Sequence, residues 1–344
     1  MSVVSVGTAS RAYSTIQAAI DDCPANLVTA SDTWEMECYN DSEFTYTGTG
    51  TKNNITGITT DATHNVQLRC ASGQSFADHA GKNDNAQTYN QSNGVGLRKT
   101  DNYGTIIGCT VAHTTIRGLQ IRHQGSNSSG TCVTLNVATP CSIDQLLILG
   151  GERGIYVDGS TTVEHEISNC LVITDHAGVA GFQNQRGNSH LVNVTCVCPT
   201  DLTSTAIGFN IQYNGPTAVN CASFGYGTDW DTGWGTSSHN ASGDTSAPGT
   251  STQTSLTYAN QYEDITDGPT GDFRLKAGNS LAGNGVVDSQ AEGIDIVGNT
   301  RDGSNPAIGH WEGGVAGGLF VVPAGPGGLA GCGGLAGERG GLAG

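Results

Sequence analysis

Ile116-Arg-Gly118-Leu-Gln-Ile121, Ile143-Asp-Gln145-Leu-Leu-Ile148 and Ile167-Ser-Asn169-Cys-Leu-Val172 share one six-residue pattern: apolar, any, Asn/Gly/Gln, apolar, any, small or apolar. It returns at Leu191-Val-Asn193-Val-Thr-Cys196 and, more loosely, at Ala218-Val-Asn220-Cys-Ala-Ser223. The third positions are separated by 27, 24, 24 and 27 residues. A second apolar strand follows each of the first four, at Val133-Thr-Leu135, Ile155-Tyr-Val157, Val179-Ala-Gly-Phe182 and Ile207-Gly-Phe209. These begin 15, 10, 10 and 14 residues after the third position, so the longer periods reflect longer turns while the strands stay in phase. Stacked repeats tolerate insertions in that way. A period near 24 residues without intervening helices predicts an all-β solenoid, a parallel β-helix whose coils lie about 4.8 Å apart. The competing leucine-rich repeat would need regular Leu spacing, which is not present.

Stacking places equal positions in columns. Cys170 and Cys221 share one column, and Asn169, Asn193 and Asn220 share another. Stacked amides hydrogen-bond along the axis and tolerate a tight turn, so these asparagines are expected to form a structural ladder. Weaker coils are expected around Trp34-Glu-Met-Glu-Cys38 and Val66-Gln-Leu-Arg-Cys70. Residues 77–93 and 224–257 read as excursions or loosened coils. The first convincing element is a helix. Ile16, Ala19, Ile20 and Cys23 form an apolar stripe ended by Pro24, and Ser14 is expected to cap it by accepting from the Gln17 amide. Its role would be to cover the open first coil.

Composition agrees. Charged residues are 13% of the 344-residue chain, against roughly 25% in ordinary globular chains, and there are 51 glycines. Turns and neutral polar surfaces suit this mixture, whereas helical bundles do not. A formal charge of −17 excludes nucleic acid and anionic membranes as expected partners. No apolar run reaches a membrane span of about 20 residues. Residues 1–7 have neither a basic region nor a long apolar one, so synthesis in a host cytoplasm is expected, with no signal peptide. The eleven cysteines lack metal-ligand spacing and read as buried thiols.

Tyr13-Ser-Thr-Ile-Gln-Ala-Ala-Ile20 is similar to the opening helix of right-handed, pectate-lyase-like β-helix proteins, especially those of bacteriophages. The run 271–285 (Gly-Asp-Phe-Arg-Leu-Lys-Ala-Gly-Asn-Ser-Leu-Ala-Gly-Asn-Gly), with 293–301 and Pro306-Ala-Ile-Gly-His-Trp-Glu312, resembles the closing segment of bacterial and phage β-helix-repeat proteins. Departures are Asn279-Ser-Leu, where Ser-Pro is common, and His310-Trp311, where Ala-Phe or Ala-Tyr is common. The resemblance implies a right-handed fold and a closing segment that caps the last coil, with Phe273, Leu275, Ile294 and Ile296 as its cover. The expected organisation is an opening segment with a capping helix over 1–25 and the β-helix over 26–265. The closing segment would occupy 266–312 and a Gly-rich tail 313–344.

That tail has glycine at every third position from 325 to 340. It reads either as a linker or as an assembly segment docking through Leu329, Leu335 and Leu342, with Cys332 able to pair between chains. For chemistry, the acids Asp144, Asp158, Glu164, Glu166 and Asp175, with Arg153 and Arg186, fail to align from coil to coil, since Asp144 matches Ser168 and Val192. Asp175-His176 is a weak dyad. The best ligand surface is Tyr226, Asp229, Trp230, Asp231 and Trp234, whose rings could stack on sugars while the acids hold hydroxyls or calcium. No other cofactor is expected. The phage-like opening helix, the lack of a signal peptide, the acidic neutral-polar surface, the lack of a catalytic constellation and a tail suited to docking together point to a non-enzymatic virion protein, a head decoration, fibre or tail appendage, docked among other virion proteins and copies of itself, trimers included. A polysaccharide lyase or an adhesin for a host glycan is the alternative.

Overall fold

The computed structural model describes residues 1–79, 81–83, 86–124, 129–159, 164–174, 180–199, 205–213, 215–266, 269–289 and 293–312. Val179, the Asp175-His176 pair and the tail residues Leu329, Cys332, Leu335 and Leu342 lie outside the described residues. Three parallel sheets run the length of the molecule. The first holds Ser2–Val6, Trp34–Cys38, Val66–Cys70, Thr114–Arg117, Ser142–Asp144, Glu164–Ser168, Asn188–Val192 and Thr217–Val219. The second holds Phe44–Tyr46, Gly96–Lys99, Gln120–His123, Leu147–Gly150, Leu171–Ile173, Thr195–Val197, Ala222–Phe224 and Ala241–Ser242. The third holds Asn53–Ile55, Tyr103–Cys109, Ser129–Leu135, Arg153–Val157, Ala180–Asn184, Ile207–Ile211 and Thr228–Trp230. The chain visits them in turn, so the fold is a parallel β-helix solenoid with three strands per coil.

The six-residue pattern is a bend rather than one strand. Its first half ends a strand of the first sheet, its second half begins one of the second, and the third position turns the corner. Gly118, Gln145, Asn169, Asn193 and Asn220 have φ of 76°, 52°, 51°, 58° and 53°. Left-handed φ favours Gly and, among side-chain-bearing residues, Asn, which is why the position selects them.

Inside the first sheet, Met36, Leu68, Ile116, Ile143, Ile167, Leu191 and Ala218 stack in register and are fully buried. Each such aliphatic contributes roughly 1.5–3 kcal/mol. In the third sheet the column swells along the axis: Ile107, Val133, Ile155, Phe182, Phe209, Trp230. Where the second sheet turns into the third, Gly154, Gly181 and Gly208 sit on successive coils. A Cβ there would collide with Val172, Cys196 and Ser223. Only glycine lets these walls meet so closely.

The helix Ile16–Asp21 buries Ile16, Ala19 and Ile20 against the first coil. Its cap is Thr15, whose hydroxyl accepts from the Ala18 amide at 3.1 Å, and not Ser14. Gln17, expected to donate its amide to that cap, instead accepts the Asn54 amide at 2.7 Å and so joins the helix to the third sheet. Trp34-Glu-Met-Glu-Cys38 and Val66-Gln-Leu-Arg-Cys70 are strands, in register from end to end. Residues 224–257 keep a loosened stack: Ala241–Ser242 pairs with the strand before it, and Ser238 bridges Thr250.

The closing segment does not cap the last coil. After an antiparallel pair, Tyr262–Asp264 with Asp272–Leu275, the chain turns back along the outside of the second sheet. Gly309 N donates to Asn220 O (2.7 Å), His310 N to Thr195 Oγ1 (3.0 Å), Gln145 Nε2 to Asp295 O (3.2 Å) and Lys82 Nζ to Val297 O (2.6 Å). One strap thus crosses several coils and reaches the excursion at 77–93. The reason is area. Leu147, Leu149, Leu171, Ile173, Val197 and Phe224 make the outer face of that sheet apolar, and they form a second core with Phe273, Ile296, Val297, Ile308 and Trp311. Leu275 packs on its edge and Ile294 is half-buried.

Candidate functional site

The residues expected to hold a ligand are brought together, with Asp229 and Trp230 taken into the interior and Tyr226, Asp231 and Trp234 half-buried. Trp230 and Asp229 are each 2% exposed. Phe209 stacks on Trp230 with centroids 4.1 Å apart, and Trp234 closes edge-on at 5.0 Å from Trp230. The trio plugs the last full coil, and Trp230 Nε1 donates to Ala241 O at 3.0 Å. Tyr226 points its hydroxyl to Thr174 Oγ1 at 2.7 Å, and burial pushes its phenol well up. Asp229 accepts the Gly243 and Asp244 amides at 2.7 and 3.2 Å, fixing the loop that follows. Burial, with Asp244 nearby, raises it to about 7. Asp231 is half-buried and accepts the Thr232 amide at 2.8 Å. Trp230 and Asp229 are therefore not available as an exposed platform. A bore lined by growing side chains has to be closed by its largest ones, and two tryptophans do so.

The asparagine ladder is continuous and polarised. Val286 N donates to Asn220 Oδ1 (2.8 Å), Asn220 Nδ2 to Asn193 Oδ1 (3.3 Å), Asn193 Nδ2 to Asn169 Oδ1 (3.1 Å) and Asn169 Nδ2 to Asp144 Oδ1 (2.9 Å). All three asparagines are buried. From Asn220 to Asp144 every link points the same way, so the dipoles add toward the Asp144 carboxylate, while Asn220 Nδ2 also donates back to Val286 O at 2.6 Å. Asp144 in turn pairs with Arg117 Nε at 3.1 Å.

That pairing opens onto the outer face of the first sheet. The strand register aligns Glu37, Arg69, Arg117, Asp144, Ser168 and Val192 in one outward column. A parallel column runs Glu35, Gln67, Thr115, Ser142, Glu166 and His190. At the early coils these columns form a cleft of about 480 Å³, walled by Ser72, Ser75 and Asp78 of the excursion. The volume falls within the range of roughly 300–1,000 Å³ usual for ligand pockets. Arg69 donates to Glu35 Oε1 (2.6 Å) and Glu37 Oε1 (2.8 Å), and Arg117 also donates to Gln145 Oε1 (3.0 Å). Glu35 is almost wholly buried, whereas both arginine side chains are about one-third exposed. Guanidinium forks beside carboxylates and amides can grip hydroxyl-bearing ligands by donating and accepting at once.

Sequence reasoning passed over Glu35, Arg69 and Arg117. The signal was present: charged residues alternate with apolar ones in 34–38 and 66–70, and the pattern continues through Arg117. Of the other acids considered, Asp158 pairs with Arg186 at 2.6 Å beyond the third sheet, away from the cleft. Glu164 and Glu166 point outward, since His165 between them is fully buried. Among the described residues no three His, Cys, Asp or Glu side chains converge as a metal-ligating group.

No family model and no curated protein sequence matches the chain. Among solved structures, the crystal structure of pectate lyase Pel9A is similar over 91% of this chain and 97% of its own, at 13% sequence identity and a TM-score of 0.39.

Proposed function

We propose that the chain is a non-enzymatic structural protein of a bacteriophage virion, displayed on the particle as a rigid β-helical rod. The observation that carries this reading is how the arginines are used. Arg11, Arg69, Arg98, Arg117, Arg186, Arg274 and Arg301 each meet a carboxylate, most of them on another coil or segment. Guanidinium groups held in such pairs act as ties between layers and are poorly placed to abstract a proton. The similarity of Tyr13–Ile20 to phage opening helices supports the same reading. So does a second core that straps the coils together, because cross-coil contacts slow unfolding of a particle component outside the cell. Attachment is assigned to the tail through Leu329, Cys332, Leu335 and Leu342, with particle proteins and further copies of the chain as partners.

The test is imaging of particles purified from the source with an antibody against residues 1–312. Labelled particles, with the label lost when the tail is deleted, are expected. A chain found only free in the lysate refutes the proposal.

The cleft favours a second reading, binding of a surface glycan. Glu35, Gln67, Arg69, Arg117 and Gln145 offer donors and acceptors together. Retention on immobilised capsular polysaccharide, abolished by Arg117→Ala, would support it. Release of unsaturated oligosaccharides would point instead to a lyase.

A further inference from the structure

Three donors converge on one carbonyl at the corner where the third sheet turns into the first. Val111 O receives Thr114 Oγ1 at 2.9 Å, Cys109 Sγ at 3.3 Å and Cys141 Sγ at 3.4 Å. Cys109 ends the strand Tyr103–Cys109, and Cys141 precedes Ser142–Asp144 on the next coil. The two turns are clamped together by His113 N donating to Pro140 O at 2.8 Å. A carbonyl oxygen has two lone pairs, so Val111 O serves Thr114 and one thiol, and the Cys141 S–H is left to bond the Cys109 sulfur beside it.

We propose that Cys109 and Cys141 are a redox-active pair that closes to a disulfide between neighbouring coils. Joining the sulfurs removes both S–H donors and leaves the carbonyl to Thr114. Cys109 differs from the other thiols of the bore, whereas Cys141, which donates to it, is itself pushed well up. Burial pushes Cys38 and Cys221 up to about 12, which makes them inert, whereas a hydrogen bond from Cys141 holds Cys109 below the ordinary thiol value. Reactivity follows the thiolate, so Cys109 is the attacking sulfur. Both side chains are buried, at 1% and 4% exposure, but Cys141 directly follows a loop in which Asn136, Ala138 and Pro140 are exposed. Local opening of that loop is the route the proposal gives a small oxidant such as hydrogen peroxide.

The chemistry balances in two steps. The Cys109 thiolate attacks peroxide, the O–O bond breaks, and Cys109 becomes a sulfenic acid while the departing hydroxide takes up a proton as water. The Cys141 sulfur then attacks Cys109 sulfur, the S–O bond breaks, and the S–S bond forms as a second water leaves with the Cys141 proton. Two thiols are oxidised and one peroxide is reduced to two waters. The closed bond ties one coil to the next without disturbing the strand register. This inference does not rest on the virion reading.

The test treats the full-length native protein with hydrogen peroxide, then denatures it in N-ethylmaleimide and maps the peptides. The expected product is one cross-linked pair containing Cys109 and Cys141, short of two hydrogens and reversed by dithiothreitol. Thiol loss at these positions should run about tenfold faster than at Cys38, Cys170 or Cys221. Peroxide should also raise the unfolding midpoint of the native chain and leave that of Cys141→Ser unchanged. Oxidation of the exposed Met1 shows that the reagent acted. Alkylated thiols at both positions, separate sulfinic acids, or pairing of either residue with another cysteine would overturn the proposal.

Discussion

The bore and the strapped wall are both apolar, yet they are built on opposite principles. Inside the bore each side chain stacks on its counterpart one coil away, so Ile143 meets Ile116 and Ile167 by repetition alone. On the outside of the second sheet, Leu147, Leu171 and Phe224 are covered by Phe273, Ile296, Ile308 and Trp311, which repeat nothing. The bore is stabilised coil by coil, like other stacked repeats. The wall is stabilised by a single segment spanning many coils, which couples layers that would otherwise open independently.

The largest test of that difference is a matched pair of deletions. Phe209→Ala and Trp311→Ala should each cost roughly 3–5 kcal/mol in denaturant unfolding. Hydrogen exchange should separate them. The bore variant is expected to raise exchange in the strands at 182–184 and 228–230, and the wall variant along 281–312 and 147–173. Matching exchange patterns would mean that the two cores act as one.

Titration sharpens the comparison. Asp229, at the bore's end, is raised from 3.8 to about 7, so its contribution is complete below about pH 4 and is lost as pH rises toward 7. His310, in the wall, is depressed by burial from 6.5 to about 3, so its contribution stands above about pH 6.5 and is lost as pH falls toward 3. Each amounts to something on the order of 4 kcal/mol. Between pH 4 and 6.5 they oppose one another. Asp229→Asn should therefore gain stability with rising pH, and His310→Phe should lose it. Slopes of the same sign in both variants would contradict the assignment.

A smaller effect is expected in the ladder. Asn193→Ala orphans Asn169 Oδ1, leaves Asn220 Nδ2 only its bond to Val286 O and forces alanine to a φ of 58°, costing roughly 2–4 kcal/mol. Asn193→Gly should recover about 1 kcal/mol of that, because glycine accepts the backbone. Equal losses in the two variants would assign the whole cost to the side chain. The smallest effect is expected at Lys82, where replacement by Met should remove one hydrogen bond to Val297 O and about 1 kcal/mol. It should loosen the strap's far end in hydrogen exchange and leave the bore unchanged.

The bore was legible because repetition is visible in one dimension. Asn169, Asn193 and Asn220 announce the corner, and the apolar positions around them announce the inside. The wall was not, since nothing in Leu147 or Ile173 says which distant segment covers it, and the closing residues Phe273 and Ile296 fit a cap at the end equally well. The site was misread for a related reason. Tryptophans among glycines and acids resemble an exposed platform, and only the swelling of the neighbouring column from Ile107 to Phe209 shows that Trp230 is needed within. The cleft depended on register. Glu35, Arg69 and Arg117 are far apart in sequence and become neighbours only when strands Trp34–Cys38, Val66–Cys70 and Thr114–Arg117 are laid side by side.

Lys82, Asn83 and Gln87 of the early excursion bond to residues near 272–299. A chain still on the ribosome can wind its coils from the first onward, but the flank of Leu147, Leu171 and Phe224 stays bare until residues 273–311 have been made. Synthesis therefore passes through a half-product whose apolar flank is exposed, the kind of surface that aggregates unless shielded.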